Sequence, residues 1–145
     1  MRAILQRVSS CSVSVDGEEI SRIGRGLLVF LGVSRDDSLN DVEFIVKKTA
    51  DLRVFDDREG KMNLSLRDVG GEIMLVSQFT LYADTRKGKR PAYTQAAHHE
   101  HGKELYEAAS KAFYEAGFPP ATGAFGAHMA VKLENDGPVT ILLES

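Results

Sequence analysis

The chain has 145 residues, of which 43% are hydrophobic and 27% charged, and its formal net charge is −3. That length suits one domain, residues 1–145, around a single core, and the acidic balance excludes broad, sequence-blind nucleic-acid binding while leaving a local basic patch open. No apolar run approaches the ~20 residues of a bilayer-spanning helix, so no membrane contact is expected. MRAILQRVSS lacks a signal-peptide layout and the single Cys11 has no internal disulfide partner, so a cytoplasmic setting is expected.

Residues 2–8 (RAILQRV) and 11–15 (CSVSV) both alternate, but out of phase, so a bulge or bend is expected near Ser9-Ser10. Asp16-Gly17 is a hairpin signal, with residues 18–23 (EEISRI) returning as the partner strand. GLLVFLGV at 26–33 is apolar on both faces and predicts a central, buried strand. Ser38 and Asp41 are spaced to open a helix whose stripe is Val42, Ile45, Val46 and Thr49. LRVF at 52–55 is either the end of that helix or a short strand, and DDREGKMN at 56–63 is a polar turn region. Gly70-Gly71 precedes a buried strand, EIMLVSQF.

From Ala83 the chain turns polar and basic. A second helix is expected from near Ala96 to Ala116, with Leu105, Tyr106, Ala109 and Phe113 as its stripe, Gly117 at its C-cap and Pro119-Pro120 beyond. Residues 125–134 alternate, putting Phe125, Ala127, Met129, Val131 and Leu133 on one face. VTILLE closes the chain as a last strand, and Asp136-Gly137-Pro138 reads as a hairpin turn between the two. The sum is an α+β fold: a strongly bent, barrel-like, mainly antiparallel sheet of about six strands, two helices, and hairpins at both ends.

Several polar groups need an explanation. Cys11 sits in a Ser/Val alternation and reads as a small core residue. His98, His99 and His101 with Glu100 are either a metal site or a solvated turn; the spacing fits no HExxH pattern and no cysteine accompanies them, so no metal and no cofactor is expected. RKGKR at 86–90 is either a solubilising loop or a phosphate clamp built from Arg86, Lys87, Lys89 and Arg90. SQFTL at 77–81 ends a buried strand with polar groups: strand alternation puts Gln78 and Thr80 on one side, and Ser77, Phe79 and Leu81 on the other. They either satisfy a neighbouring strand or meet a ligand. Arg7 shares a face with Ala3 and Leu5, so it is either an edge charge or a buried cation needing carbonyl or carboxylate partners. No GxSxG elbow, P-loop or GxGxxG is present.

At SQFTL and at NDGPVT (135–140) the chain resembles the D-aminoacyl-tRNA deacylase family, of the bacterial type. The likeness also takes in QRV at 6–8, GLLVFLGV at 26–33, GKMNLS at 60–65, KRPAY at 89–93 and TGAFGAHM at 122–129. The resemblance implies a homodimer that hydrolyses the ester joining a D-amino acid, or glycine, to the end of tRNA. It implies that Gly137-Pro138, with a cis bond, reaches from one subunit into the pocket of the other, braced by Arg7. By the same match Thr80, Phe79 and Gln78 are the candidate catalytic residues, and Ser77, Gly137, Pro138, Arg7 and Met129 the candidate substrate-binding ones. The basic loop then faces tRNA. His128 stands where many relatives are expected to carry aspartate; opposite Met129 in the alternation, it is expected to face away from the pocket. A non-catalytic RNA-binding module, a hydrolase of another ester with Thr80 as nucleophile, and a structural dimer remain rival readings.

Overall fold

The structure, a computed structural model, describes all residues, Met1–Ser145. Strand β1 (Arg2–Val15) is its spine. Ala3 and Leu5 point to one side of the sheet, and Val8, Cys11 and Val13 to the other. The phase change lies at exposed Ser9, where Val8 pairs with Asn135 but Ser10 pairs with Glu134, one residue out of step. The expected bulge is therefore there, inside one continuous strand. Asp16 and Gly17 both adopt positive φ, 51° and 85°, as a tight hairpin turn requires, and β2 (Glu18–Ile23) returns along β1.

Strand β3 (Gly26–Gly32) continues down the same edge of β1 and runs parallel to β6 (Glu72–Ser77) on its other side. Both strands are buried on two faces, which is why they read as unbroken apolar runs. Leu27, Val29, Leu31, Ile73 and Leu75 join a large cluster with the helices, while Leu28, Met74 and Val76 join Cys11 and Val13 in a smaller one. Burial pushes the Cys11 thiol up to about 11, so it is inert packing.

Helix α1 (Leu39–Asp51) opens with the Ser38/Asp41 capping box and packs its Val42, Ile45 and Val46 stripe on the large cluster. Leu52 ends it, and Phe55–Asp56 forms a short strand, β4, paired with β5 (Met62–Leu64). Helix α3 (His99–Glu115) lies against α1 and buries Leu105, Tyr106, Ala109 and Phe113. Strand β7 (Ala121–Thr122) adds to the far side of β6.

The sheet is mainly antiparallel as expected, with only the β3–β6 and β6–β7 pairs parallel. Two expectations are corrected. A third helix exists, α2 (Leu66–Val69), a single turn capped by Ser65 and Asp68 and too short to show periodicity. The C-terminal hairpin is absent: β8 (Met129–Glu144) is one strand pairing β1 along nearly its whole length. Gln6 faces Thr140 and Val8 faces Asn135, so residues 136–139 loop out opposite the single Arg7. Asp-Gly marks a chain reversal in general, but here β1 is long enough to template both halves of β8, and the extra residues leave the ladder as a wide bulge.

Candidate active site

The buried run of β6 ends at Ser77, and the N–H of Gln78 ties the chain to the Leu31 carbonyl of β3 at 2.8 Å. The backbone then leaves the sheet and forms a 3-10 turn over Phe79–Tyr82. Its first internal bond runs from Leu81 N–H to Gln78 O, 3.2 Å, so the N–H groups of Phe79 and Thr80 precede the turn's own bonding. The pleat expected through Thr80 is thus replaced by a tighter helix. Gln78 and Thr80 still share a side, because the Gln78 amide donates to Thr80 Oγ1. Phe79 is 55% exposed and meets the Tyr93 ring edge-to-face at 5.0 Å.

A cleft of about 530 Å³ opens at this strand end. One wall is Val76, Ser77, Gln78 and Phe79; the opposite wall is His98, His99 and Gly102 at the start of α3. Residues 125–128 and Met129 and Val131 of β8 close the rest. Gly102 leaves that wall without a side chain beside Phe125, where a Cβ would make an ordinary contact at 3.6 Å. Phe125 packs on His99 at 5.3 Å and on Tyr106 at 5.5 Å between ring centres. The Tyr106 hydroxyl donates to Leu75 O at 2.8 Å, and burial pushes it up to about 12, so this ring behind Phe125 stays neutral. Ser77, Gln78, Phe79 and Met129 therefore line one cleft, with Thr80 next in the chain to Phe79.

The histidines are corrected. His98 and His99 are exposed, as a solvated position requires, but they stand at the start of α3 and line the cleft, and His101 reaches Asp37 O at 3.1 Å. His128 also lines the cleft. It precedes β8, in a turn where strand alternation has no force, and for the same reason Phe125 and Ala127 are not on the strand face assigned to them. The cleft contributions of Ala97, His99, Gly102 and Phe125 escaped the sequence reading; the one local signal was a glycine inside a helical stripe.

Arg7 is buried, 5% exposed, and meets four oxygens of three residues. Its Nη1 donates to Val54 O at 2.8 Å and lies 3.3 Å from Asp56 Oδ1, while its Nε donates to Asp136 O at 3.2 Å and lies 3.1 Å from Asp136 Oδ2. The cation thus joins β4 to the bulge of β8. Gly137 and Pro138 are exposed at the crest of that bulge, joined by a cis peptide, with Gly137 at φ +121°. They do not line the cleft of their own chain.

The basic loop is closed at its base, where Asp84 and Ala92 exchange backbone bonds of 2.7 and 3.0 Å. Arg86 is exposed but paired: it forks onto Asp84, with contacts of 2.9 and 2.7 Å, and holds that carboxyl well below the usual carboxylate range. Lys87, Lys89 and Arg90 are exposed and form no ion pair. Arg2, not singled out by the sequence, donates to Leu81 O at 3.0 Å and covers the Tyr82 ring at 4.8 Å, pinning the 3-10 turn. No helix is long and apolar enough to cross a membrane, and no three His, Cys, Asp or Glu side chains gather as a metal site.

The family model described as D-Tyr-tRNA(Tyr) deacylase matches residues 4–144. The chain is 53% identical to the D-aminoacyl-tRNA deacylase of Thermotoga petrophila and 54% identical to that of Clostridioides difficile, in each case over all of this chain and 97% of the relative. A solved structure described as c-Myc DNA Unwinding Element Binding Protein superposes with a TM-score of 0.95 at 43% identity, covering 100% of this chain and 99% of the other. A second, described as a probable eukaryotic D-amino acid tRNA deacylase, shares the fold at a TM-score of 0.82 and 19% identity, covering 98% and 97%. A full-length family match and relatives above half identity, joined to the SQFTL turn and the NDGPVT bulge, make this chain a member of the D-aminoacyl-tRNA deacylase family.

Proposed function

We propose that this protein hydrolyses the ester of D-aminoacyl-tRNA and of glycyl-tRNA, spares L-aminoacyl-tRNA, and so proofreads translation in the cytoplasm. The observation that carries the reading is the 3-10 turn at the end of β6, where the Phe79 and Thr80 N–H groups stand ahead of the turn's internal bonds beside a cleft. Two adjacent backbone donors suit the negative charge that develops on an ester carbonyl oxygen under attack. Water attacks the carbonyl carbon, the bond to the ribose 3′-oxygen breaks, and the departing oxygen takes a proton. Thr80 Oγ1 is bonded to an amide, not to a base, so nothing activates it as a nucleophile. The substrate's own 2′-hydroxyl is then the group nearest the reaction, and the protein positions.

Chirality is assigned to Gly137 and Pro138 of a second copy. Both are exposed at the crest of a braced bulge and neither reaches its own cleft, which supports entry into a partner's. With the substrate ammonium held by a main-chain carbonyl and the ester held by the turn, an L side chain runs into backbone, while a D side chain or a hydrogen does not. Rejection by main chain survives most substitutions. Lys87, Lys89 and Arg90 would hold phosphates near the acceptor end. The deciding experiment is hydrolysis of D-Tyr-tRNA and L-Tyr-tRNA by the wild-type protein. The D form is cleaved and the L form persists; equal rates end the proposal.

A further inference from the structure

The β8 bulge is held at two places, and only one of them is Arg7. We propose that Asn135 is a positioning residue that closes the neck of the bulge and thereby sets the direction of Gly137. Its Nδ2 donates one proton to Arg7 O and the other to Val139 O, each at 2.9 Å. Those two carbonyls lie on opposite sides of the gap left where residues 136–139 leave the ladder. The side-chain amide therefore replaces the missing rungs and draws Val139 back to β1. Its Oδ1 accepts from Thr140 Oγ1 at 3.2 Å, and Thr140 Oγ1 accepts from Gln6 Nε2 at 3.2 Å, so the amide is locked with both N–H groups toward the neck.

The clamp needs two N–H donors on one short side chain. Aspartate at 135 would set an acceptor against two carbonyls, and alanine would leave both without a donor. Asn135 neither lines the cleft nor joins either apolar cluster, so its bonds bear on the bulge alone. Gly137 has little slack above it: a Cβ there would fall 2.9 Å from Val139 Cγ2 and 3.0 Å from Arg7 Nη2. A shift of Val139 is thus passed directly to Gly137. Arg7 fixes the crest through Asp136, and Asn135 fixes the base.

The consequence for selectivity rests on the function proposed above. The test compares Asn135→Asp and Asn135→Ala with wild type in hydrolysis of D-Tyr-tRNA and L-Tyr-tRNA, in amide hydrogen exchange at residues 136–139, and in melting temperature. The expected result is a variant that melts close to wild type, exchanges faster at 136–139, has a raised KM for the D ester, and shows an L-to-D ratio of kcat/KM up by about tenfold or more. A purely structural residue would move the melting temperature and not the enantiomer ratio. A folded variant with unchanged ratio and unchanged exchange overturns the assignment. Should these variants fail to fold, Thr140→Val keeps both Nδ2 donors but frees Oδ1; a smaller change in the same direction supports the clamp, and no change in either readout overturns it. If wild type cleaves both enantiomers alike, the functional reading fails, while exchange at 136–139 still decides the clamp.

Discussion

Thr80 is the residue whose side chain most invites a nucleophilic role, and its surroundings argue against one. Its hydroxyl is paired with the Gln78 amide, and neither a carboxylate nor an imidazole hydrogen-bonds to it. We expect Thr80→Val to lose one hydrogen bond and less than about tenfold in kcat, whereas removal of a true nucleophile costs about 10³-fold or more. Single-turnover rates on D-Tyr-tRNA distinguish the two. Arg7 illustrates the opposite case, a charge that is costly to bury unless it is paired, as its Nε and Nη1 are here. The sequence left it open between a surface charge and a buried hub; the choice was made by Val54, Asp56 and Asp136, which lie 47 or more positions away and meet it only in the folded chain.

Among elements, the basic loop and the start of α1 make separable predictions. Lys87, Lys89 and Arg90 carry the loop's free charge, since Arg86 is spent on Asp84. Lys89→Ala with Arg90→Ala is expected to raise KM for aminoacyl-tRNA and to flatten its dependence on salt by about one to two in log–log slope. A slope equal to wild type removes the loop from tRNA binding. At α1, the Asp41 carboxyl is lowered from 3.8 to about 2, first by the Ser145 hydroxyl at 2.7 Å and then by the Ser38 N–H. A depressed carboxyl stabilises the fold above its unfolded pKa, and that contribution is lost as pH falls from about 4 toward 2. Urea midpoints at pH 4.5 and 2.5 are expected to fall less for Asp41→Asn than for wild type, because the variant has no such contribution to lose.

At the scale of the whole molecule, β8 is paired on one edge only and its sheet face is half exposed along its length. A strand of 16 residues with one open edge presents unpaired backbone groups that proteins normally cover. The dimer proposed above would cover it with a second copy and bring that copy's Gly137-Pro138 to a cleft they do not line in their own chain. Sedimentation equilibrium is expected to return twice the 15.9 kDa of one chain. A monomer that hydrolyses D-Tyr-tRNA at full rate would remove the cross-subunit arrangement.

Local chemistry by itself determined a good part of this protein. The β1 phase break, the Asp16-Gly17 turn, the Ser38 cap, the doubly buried β3 and β6 and the α3 stripe were legible because each depends on neighbours within a few positions. The resemblance at SQFTL and NDGPVT pointed to the family. What tertiary structure decided depends on chain brought from afar. Asp136-Gly137-Pro138 became a bulge and not a hairpin because β1 holds both halves of β8. His98, His99 and His128 became cleft residues because the start of α3 and the turn before β8 converge on the end of β6, a juxtaposition no local spacing records.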